Sequence, residues 1–367
     1  MTNLEKEIDE NRRKIHTDAY PMSIGEIANL YKDGELDIHP EFQRIYRWTD
    51  SQKSKLIESI LLGIPLPSIF VAQRDDGIWD VVDGLQRLST IFSFWGIYKD
   101  ENGKTLPPLK LTSTEYIPSL EGIYWEHPEP KYAIPDEIRR TFKREKIDFK
   151  IIKKESDEKA KYDLFQRLNT GGTKLSEQEV RNCLLIMLDH SKYDWLKLLS
   201  ENENFQNCLP ITDKKQDEQA YMEIALRFII YRYLDKIEIQ KHSDLNELLT
   251  DAMKIIFINT PFDLKEEQDL FEKVFKLLDE TLNENSFRRY NPKKNKYEGP
   301  FSLSIFEIIA IGLSFNISKD ISELKTKIIE VSESIQNNPY FIDNTKYGTR
   351  SIDRFKILTE FGKTLFK

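Results

Sequence analysis

The chain has 367 residues, enough for two domains, and carries 54 Lys and Arg against 62 Asp and Glu, a formal net charge of −8. With 39% hydrophobic and 11% aromatic residues it reads as a packed globular protein rather than a disordered or fibrous one, and its acidity excludes a uniformly basic surface, so any DNA contact is local. Cys183, Cys208 and five scattered histidines offer no zinc-ligand spacing. The charged start MTNLEKEIDENRRK is unlike a signal peptide, and no apolar run reaches the roughly 18 residues of a membrane span, so the expectation is a reduced, cytoplasmic protein with no membrane contact.

From about Tyr20 to Ile152 strand and helix signals alternate, predicting a mixed α/β module. Within ELDIHPEFQRIYRW, residues 35–48, the apolar Ile38, Phe42 and Trp48 are interleaved with Gln43, Arg44 and Arg47. Packed aromatics can hold arginines ready for a phosphate. The same pattern also suits a strand edge whose arginines pair with carboxylates. TDSQKSKLIESILLGI then predicts a helix, with Thr49 as N-cap, Gln52 at the capping-box position, and Leu56, Ile60 and Leu61 at helical spacing. SIFVAQRDDGIWDVVD reads as two β-rich arms around the turn residues Asp75, Asp76 and Gly77.

A strand-to-helix junction follows at DGLQR, residues 83–87, since Leu85, Leu88, Phe92 and Trp95 recur at helical spacing. Gly84 permits a tight turn or close backbone approach, and the first turn of the next helix aims N–H groups and the positive dipole end outward, as a phosphate requires. Arg87 supplies a charge-assisted fork, while Asp83 suits a divalent ion, a positioned water or a hydroxyl. An Asp N-cap with an exposed Arg one turn on is the plainer reading of the same residues, and at this point both stay open. Residues 99–135, rich in Pro and Tyr without periodicity, predict a long loop or insertion.

From Ser156 onward the signals are helical. DEKAKYDLFQRLN ends at Gly171 and Gly172, and Ser176 with Glu179 forms a second capping box before EQEVRNCLLIMLDH. Amphipathic segments follow at 218–234, 245–258, 264–282, 302–315 and 321–335. FQRLNTGGTKLSEQEVRN carries Arg167, Asn169, Arg181 and Asn182 around a double glycine, but without the Gly-Lys-Ser/Thr of a Walker A loop; alone it is a well-capped helix-loop-helix. Two basic runs, at 143–154 and RRYNPKKNKY at 288–297, read first as solvated loops. The second, with Tyr290 and Tyr297 among Arg288, Arg289, Lys293 and Lys294, also has the composition of a nucleic-acid contact.

Taken together and in order, FQRxYxW, an apolar helix ending in GIPLPSIF, a strand into DGLQR, and FQRLNTGGTKLSEQEVRN resemble the GmrS-type domain of GmrSD modification-dependent restriction systems. That domain is placed in the ParB/sulfiredoxin-like superfamily, and the resemblance covers about Tyr20 to Asn182. It implies an α+β protein: a ParB/sulfiredoxin-like α/β domain over residues 1–155, with the insertion at about 99–135, followed by a mostly helical domain over 156–367. The family motif is usually DGQQR, implicated in binding and hydrolysing a nucleoside triphosphate with Mg²⁺; here Leu85 replaces its first Gln.

The roles that carry over are catalytic ones for Asp83, Gln86 and Arg87, with Asp83 also the metal ligand, and nucleotide contacts for Gln43, Arg44, Gly84, Arg87, Asn169 and Arg181, with Asn169 and Arg181 on the far side of a cleft. An HNH-type nuclease accompanies this module in GmrSD-like systems, and no His-centred nuclease motif is visible here. The resemblance therefore implies the nucleotide-handling component of a bacterial anti-phage defence system. It would control a separately encoded nuclease or DNA engagement, and oligomerisation is compatible with that role. Two other functions are weighed against it: a Mg²⁺-dependent nuclease or nickase centred on Asp83, disfavoured by the shortage of clustered acids, and a non-catalytic DNA-binding adaptor using Arg288, Arg289, Lys293 and Lys294.

Overall fold

A computed structural model describes residues 2–12, 16–38, 48–100, 102–156, 176–212, 219–242, 244–260 and 263–367. They form two compact units, Met1–Lys174 and Leu175–Lys367, which give the expected α+β architecture: a five-stranded sheet with helices in the first and a largely helical second.

The first unit runs α1 (Asn3–Arg12), β1 (Thr17–Ser23), α2 (Ile24–Lys32), β2 (Leu36–Asp37), α3 (Asp50–Leu61), β3 (Ile69–Gln73), β4 (Trp79–Asp83), α4 (Leu85–Trp95), α5 (Asp136–Arg144) and β5 (Lys146–Ile152). The sheet order is β1-β5-β3-β4-β2. The β3–β4 and β1–β5 pairs are antiparallel, and β3–β5 and β2–β4 are parallel. Local chemistry explains the start of α3: the Thr49 hydroxyl accepts the Gln52 N–H, and the Gln52 side chain accepts the Thr49 N–H, satisfying two donors that a helix start otherwise leaves bare. The turn between β3 and β4 is tied back to the sheet by Arg74. Its Nε donates to Asp80 at 2.8 Å and its Nη2 to Asp37 at 2.7 Å, so one guanidinium neutralises two carboxylates that face each other across the β2–β4 register.

Ile69, Val71, Val81, Ile147, Phe149 and Ile151 occupy alternate strand positions and join Ile27 of α2, Ile57 of α3, Phe92 of α4 and Phe142 of α5 in one core. Each fully buried side chain of this size stabilises the fold by about 1.5–3 kcal/mol relative to exposure.

The basic run at 143–154 is not the solvated loop its composition suggests. Lys143 and Arg144 end α5, and Lys146–Ile152 form β5, paired on both sides by β1 and β3. Its lysines alternate outward while Ile147, Phe149 and Ile151 turn inward, and period-two burial outweighs the high charge.

Among its described residues the insertion forms no long helix or strand. It holds two short 3₁₀ turns, Pro118–Leu120 and Pro130–Tyr132, and is pinned to α3. The Thr112 N–H donates to Ser54 Oγ at 2.9 Å, and Glu58 Oε1 accepts the N–H groups of Tyr116 and Ile117 at 2.9 and 2.8 Å.

The second unit contains α6 (Glu177–Leu188), α7 (His190–Ser200), α8 (Glu203–Asn207), α9 (Ala220–Arg232), α10 (Leu245–Lys254), α11 (Leu264–Leu282), a hairpin of β6 (Arg289–Asn291) and β7 (Lys296–Glu298), α12 (Leu303–Ser314), α13 (Ile321–Ser334), α14 (Pro339–Asn344) and α15 (Ser351–Leu365). Ser176 caps α6 with the predicted reciprocal Glu179 bond. Helices α12 and α15 cross backbone to backbone: a Cβ on Gly312 would lie 2.4 Å from the Gly362 carbonyl oxygen, and one on Gly362 would lie 2.3 Å from that of Ile308.

Among the described residues no helix is long and apolar enough to cross a membrane; the apolar α12 is buried inside this unit instead. RRYNPKKNKY, read first as a loop, is the hairpin. Tyr290 and Tyr297 face each other across it with ring centroids 5.1 Å apart, and the Tyr297 hydroxyl meets Ser332 Oγ at 2.7 Å.

Candidate functional site

The DGLQR junction is built by an irregularity in the sheet. Val71 pairs with Val81 and Phe70 with Asp83, which leaves Val82 as an extra residue in β4. Such a bulge bends a strand and re-aims the side chain after it; here that side chain is Asp83. Gly84 then takes φ +102 and caps α4 without any side-chain hydrogen bond. A Cβ at this position would sit 2.2 Å from Ile69 Cδ1 and 3.2 Å from Arg87 Nη2, so both the left-handed backbone and the packing demand glycine. The plainer reading, Asp83 as N-cap, does not hold: the cap is Gly84, which leaves the positive end of α4 without a side-chain capping hydrogen bond among the described residues.

Arg87 is also not the exposed arginine of that reading. It is 8% exposed and its guanidinium turns back into the protein. Nη1 donates to the Pro67 carbonyl, Nη2 to the Ser68 carbonyl at 3.2 Å, and Nη2 to Asp83 Oδ2 at 3.0 Å. Burial holds its pKa below the ordinary guanidinium value while Asp83 pulls it back up. Arg87 thereby fastens the approach to β3 against the junction. The Asp83 side chain remains 40% exposed. Gln86 is half-buried in the first turn of α4, and its carbonyl accepts the Thr90 hydroxyl at 2.7 Å.

Asp83 with its own ion-pair partner and one uncapped helix end suits Mg²⁺ carried by a nucleotide. Mg²⁺ keeps most of its water and typically takes only one or two protein carboxylates together with substrate phosphates. A self-sufficient metal centre is a different matter: among the described residues no group of three or more His, Cys, Asp or Glu side chains could hold a metal ion.

The other sequence-derived residues are placed as follows. Gln43, Arg44 and Asn169 lie outside the described residues, as do Phe42, Arg47, Arg167, Gly171 and Gly172. Arg181 belongs to the helical unit and is fully buried. Its Nε donates to Gln178 at 2.8 Å and its Nη2 to Glu223 of α9 at 3.1 Å. A continuous polar path runs on from there. Glu223 Oε1 accepts from Arg227 Nε at 2.9 Å, Arg227 Nη1 donates to the Tyr231 hydroxyl at 3.0 Å, and Arg354 of α15 grips both oxygens of the fully buried Glu307 of α12 at 3.1 Å each. Burial pushes the Glu307 pKa up, against the Arg354 and Arg227 charges and the Tyr231 hydroxyl, which pull it down. Single-sequence reading missed this network because its members lie up to 173 positions apart, 181 to 354; the buried charges at helix-facing positions of α9 and α12 were its only signal.

Of the hairpin cations, Arg288 pairs with Glu284 at 3.3 Å and Lys294 with Glu298 at 3.2 Å. Arg289 and Lys293 are exposed and have no acidic partner among the described residues.

The first unit is thus an α+β domain whose bulged strand delivers an acid, a glycine and a helix start to one point. Residues 24–186 match the family model of the GmrSD restriction endonuclease, N-terminal domain. Over this stretch the chain is similar to that domain, and the match ends within α6. A search of curated proteins finds no match.

Proposed function

We propose that this protein is the nucleotide-handling component of a restriction-type defence system, binding and hydrolysing a nucleoside triphosphate with Mg²⁺ at the DGLQR junction so as to control a partner nuclease or DNA engagement. The observation that carries the reading is the pairing of a half-exposed Asp83 with an α4 N-terminus that has no side-chain capping hydrogen bond among the described residues. The N–H groups of the first turn attract phosphate oxygens. Asp83 would hold the metal ion of the bound nucleotide and orient the attacking water, Gln86 would steady that water from the first turn, and Arg87 acts as a positioning residue by locking the Pro67–Ser68 backbone. Mg²⁺, when bound with the nucleotide, neutralises charge building on the phosphates.

Gln43, Arg44, Asn169 and Arg181 enter this proposal only through the family resemblance. Arg289 and Lys293, exposed beside Arg288 and Lys294 on the hairpin, are the proposed DNA contacts, in keeping with the restriction endonuclease name of the family. Phosphate release measured with each of the four triphosphates tests the reading. Turnover by the wild type that is lost in Asp83→Ala is the expected result, and absence of nucleotide binding by the folded wild type overturns it.

A further inference from the structure

A second feature of the first unit lies outside the DGLQR junction. Between α3, the insertion and α5 is a cavity of about 440 Å³, within the size range of preformed ligand pockets. Its floor and walls are apolar: Ile60 and Leu61 from α3, Ile117 and Ile123 from the insertion, Ile138 and Phe142 from α5. The walls are fixed in advance. Glu58 and Ser54 hold the insertion at Thr112, Tyr116 and Ile117, and the Leu111 and Gly122 N–H groups bond across the insertion to Ile123 and Leu111 at 2.9 Å.

Apolar side chains are exposed in the lining and beside it in sequence. Ile138 is 41% exposed; Leu62 and Tyr116, adjoining the lining residues Leu61 and Ile117, are 46% and 72% exposed, and Ile64 is 46% exposed. Ile138, itself a lining residue, stays 41% exposed in the open cavity, and a helix laid along the groove would cover it.

Charge narrows the partner. Glu137, Thr141 and Glu145 recur every fourth residue along the α5 region and line the same cavity, and among the described residues no Lys or Arg lines it. Neither carboxylate has an ion-pair partner among the described residues. We infer that this groove receives a basic amphipathic helix of a partner protein, which inserts apolar side chains at i, i+3/i+4 spacing and sets Lys or Arg opposite Glu137 and Glu145.

The test uses the full chain and three synthetic peptides: an amphipathic leucine/lysine helix, the same composition with its periodicity scrambled, and a leucine/glutamate helix of the same pattern. Affinity is read by fluorescence titration and location by hydrogen exchange. The leucine/lysine helix is expected to bind best and to protect the end of α3, residues 117–123 and α5. Ile138→Glu should weaken it at least tenfold. The double variant Glu137→Lys, Glu145→Lys, which changes only rim side chains and therefore keeps the fold if Ile138→Glu does not, should shift the preference to the leucine/glutamate helix. Equal binding of the scrambled peptide, protection elsewhere, or an unchanged preference after charge reversal overturns the inference. So does protection of these segments by raised protein concentration alone, which would make a second copy of the chain the occupant, or saturation by an uncharged apolar dye with no peptide binding.

Discussion

Arg87 and Arg181 both stand in motifs that suggest phosphate contact, and both are buried, but they are buried in different ways. Arg87 spends its donors on two backbone carbonyls and on one oxygen of an acid that stays 40% exposed. Arg181 is sealed among helices, bonded to Gln178 and Glu223 at the head of a charged path reaching Arg354. The first arrangement stiffens a junction and leaves its acid facing solvent, while the second binds helices to one another. A buried arginine is therefore informative through the exposure of its partner: chemistry is expected where the partner acid can still reach a ligand.

The largest effect should separate the two regions outright. Glu307→Ala leaves Arg354 without its bidentate partner inside the helical unit. Removing one member of a buried pair typically costs about 3–5 kcal/mol, so denaturant unfolding should show a stability loss of that order while residual folded protein keeps its nucleotide response. An unchanged stability would break the contrast by showing that the network is not structural.

Next in size is Gly84→Ala. The added methyl meets Ile69 Cδ1 at 2.2 Å on a left-handed backbone, and overpacking of this kind costs about 1–3 kcal/mol. Here stability and nucleotide binding should fall together, because the proposed site would need the same glycine as the fold; a variant that loses neither would show that the close approach is not required.

A smaller, local effect is expected on acidification. The Thr114 hydroxyl, ahead of the opposing cost of burial and then the N–H groups of Ile117 and Tyr116, holds the Glu58 carboxyl below its ordinary pKa. A depressed folded-state pKa means that the contribution is present above the unfolded value and is lost as pH falls through the folded one. Hydrogen exchange at residues 112–123 should therefore quicken below the ordinary carboxylate range, and Glu58→Gln should remove that pH dependence.

Much of the local structure was legible. Thr49 with Gln52 and Ser176 with Glu179 form the caps their spacing announces, Asp75-Asp76-Gly77 turns the hairpin, and Gly84 marks the change from strand to helix. These are short-range signals whose partners lie within a few residues. Three features were not legible for a common reason, that their partners are distant in sequence. Strand β5 was masked by its lysines because only pairing with β1 and β3 reveals which of its faces is buried. The turning-in of Arg87 depends on carbonyls at Pro67 and Ser68, and the Arg181 network joins four helices. The bulge at Val82, which aims Asp83, arises from register with Phe70 and Val71 and leaves no mark in DVVDG itself.

The most direct test of the central claim is a thermal-shift titration of the four nucleoside triphosphates with Mg²⁺ against the wild type and Asp83→Asn. Because the Asp83 side chain is 40% exposed and Arg87 keeps its bonds to the Pro67 and Ser68 carbonyls, both proteins should fold, and each melting-point shift is read against that protein's own unliganded value. The account predicts that one triphosphate raises the melting point of the wild type through linkage, only with Mg²⁺ present, and leaves Asp83→Asn unmoved. Equal stabilisation of both proteins, or of neither, would contradict it.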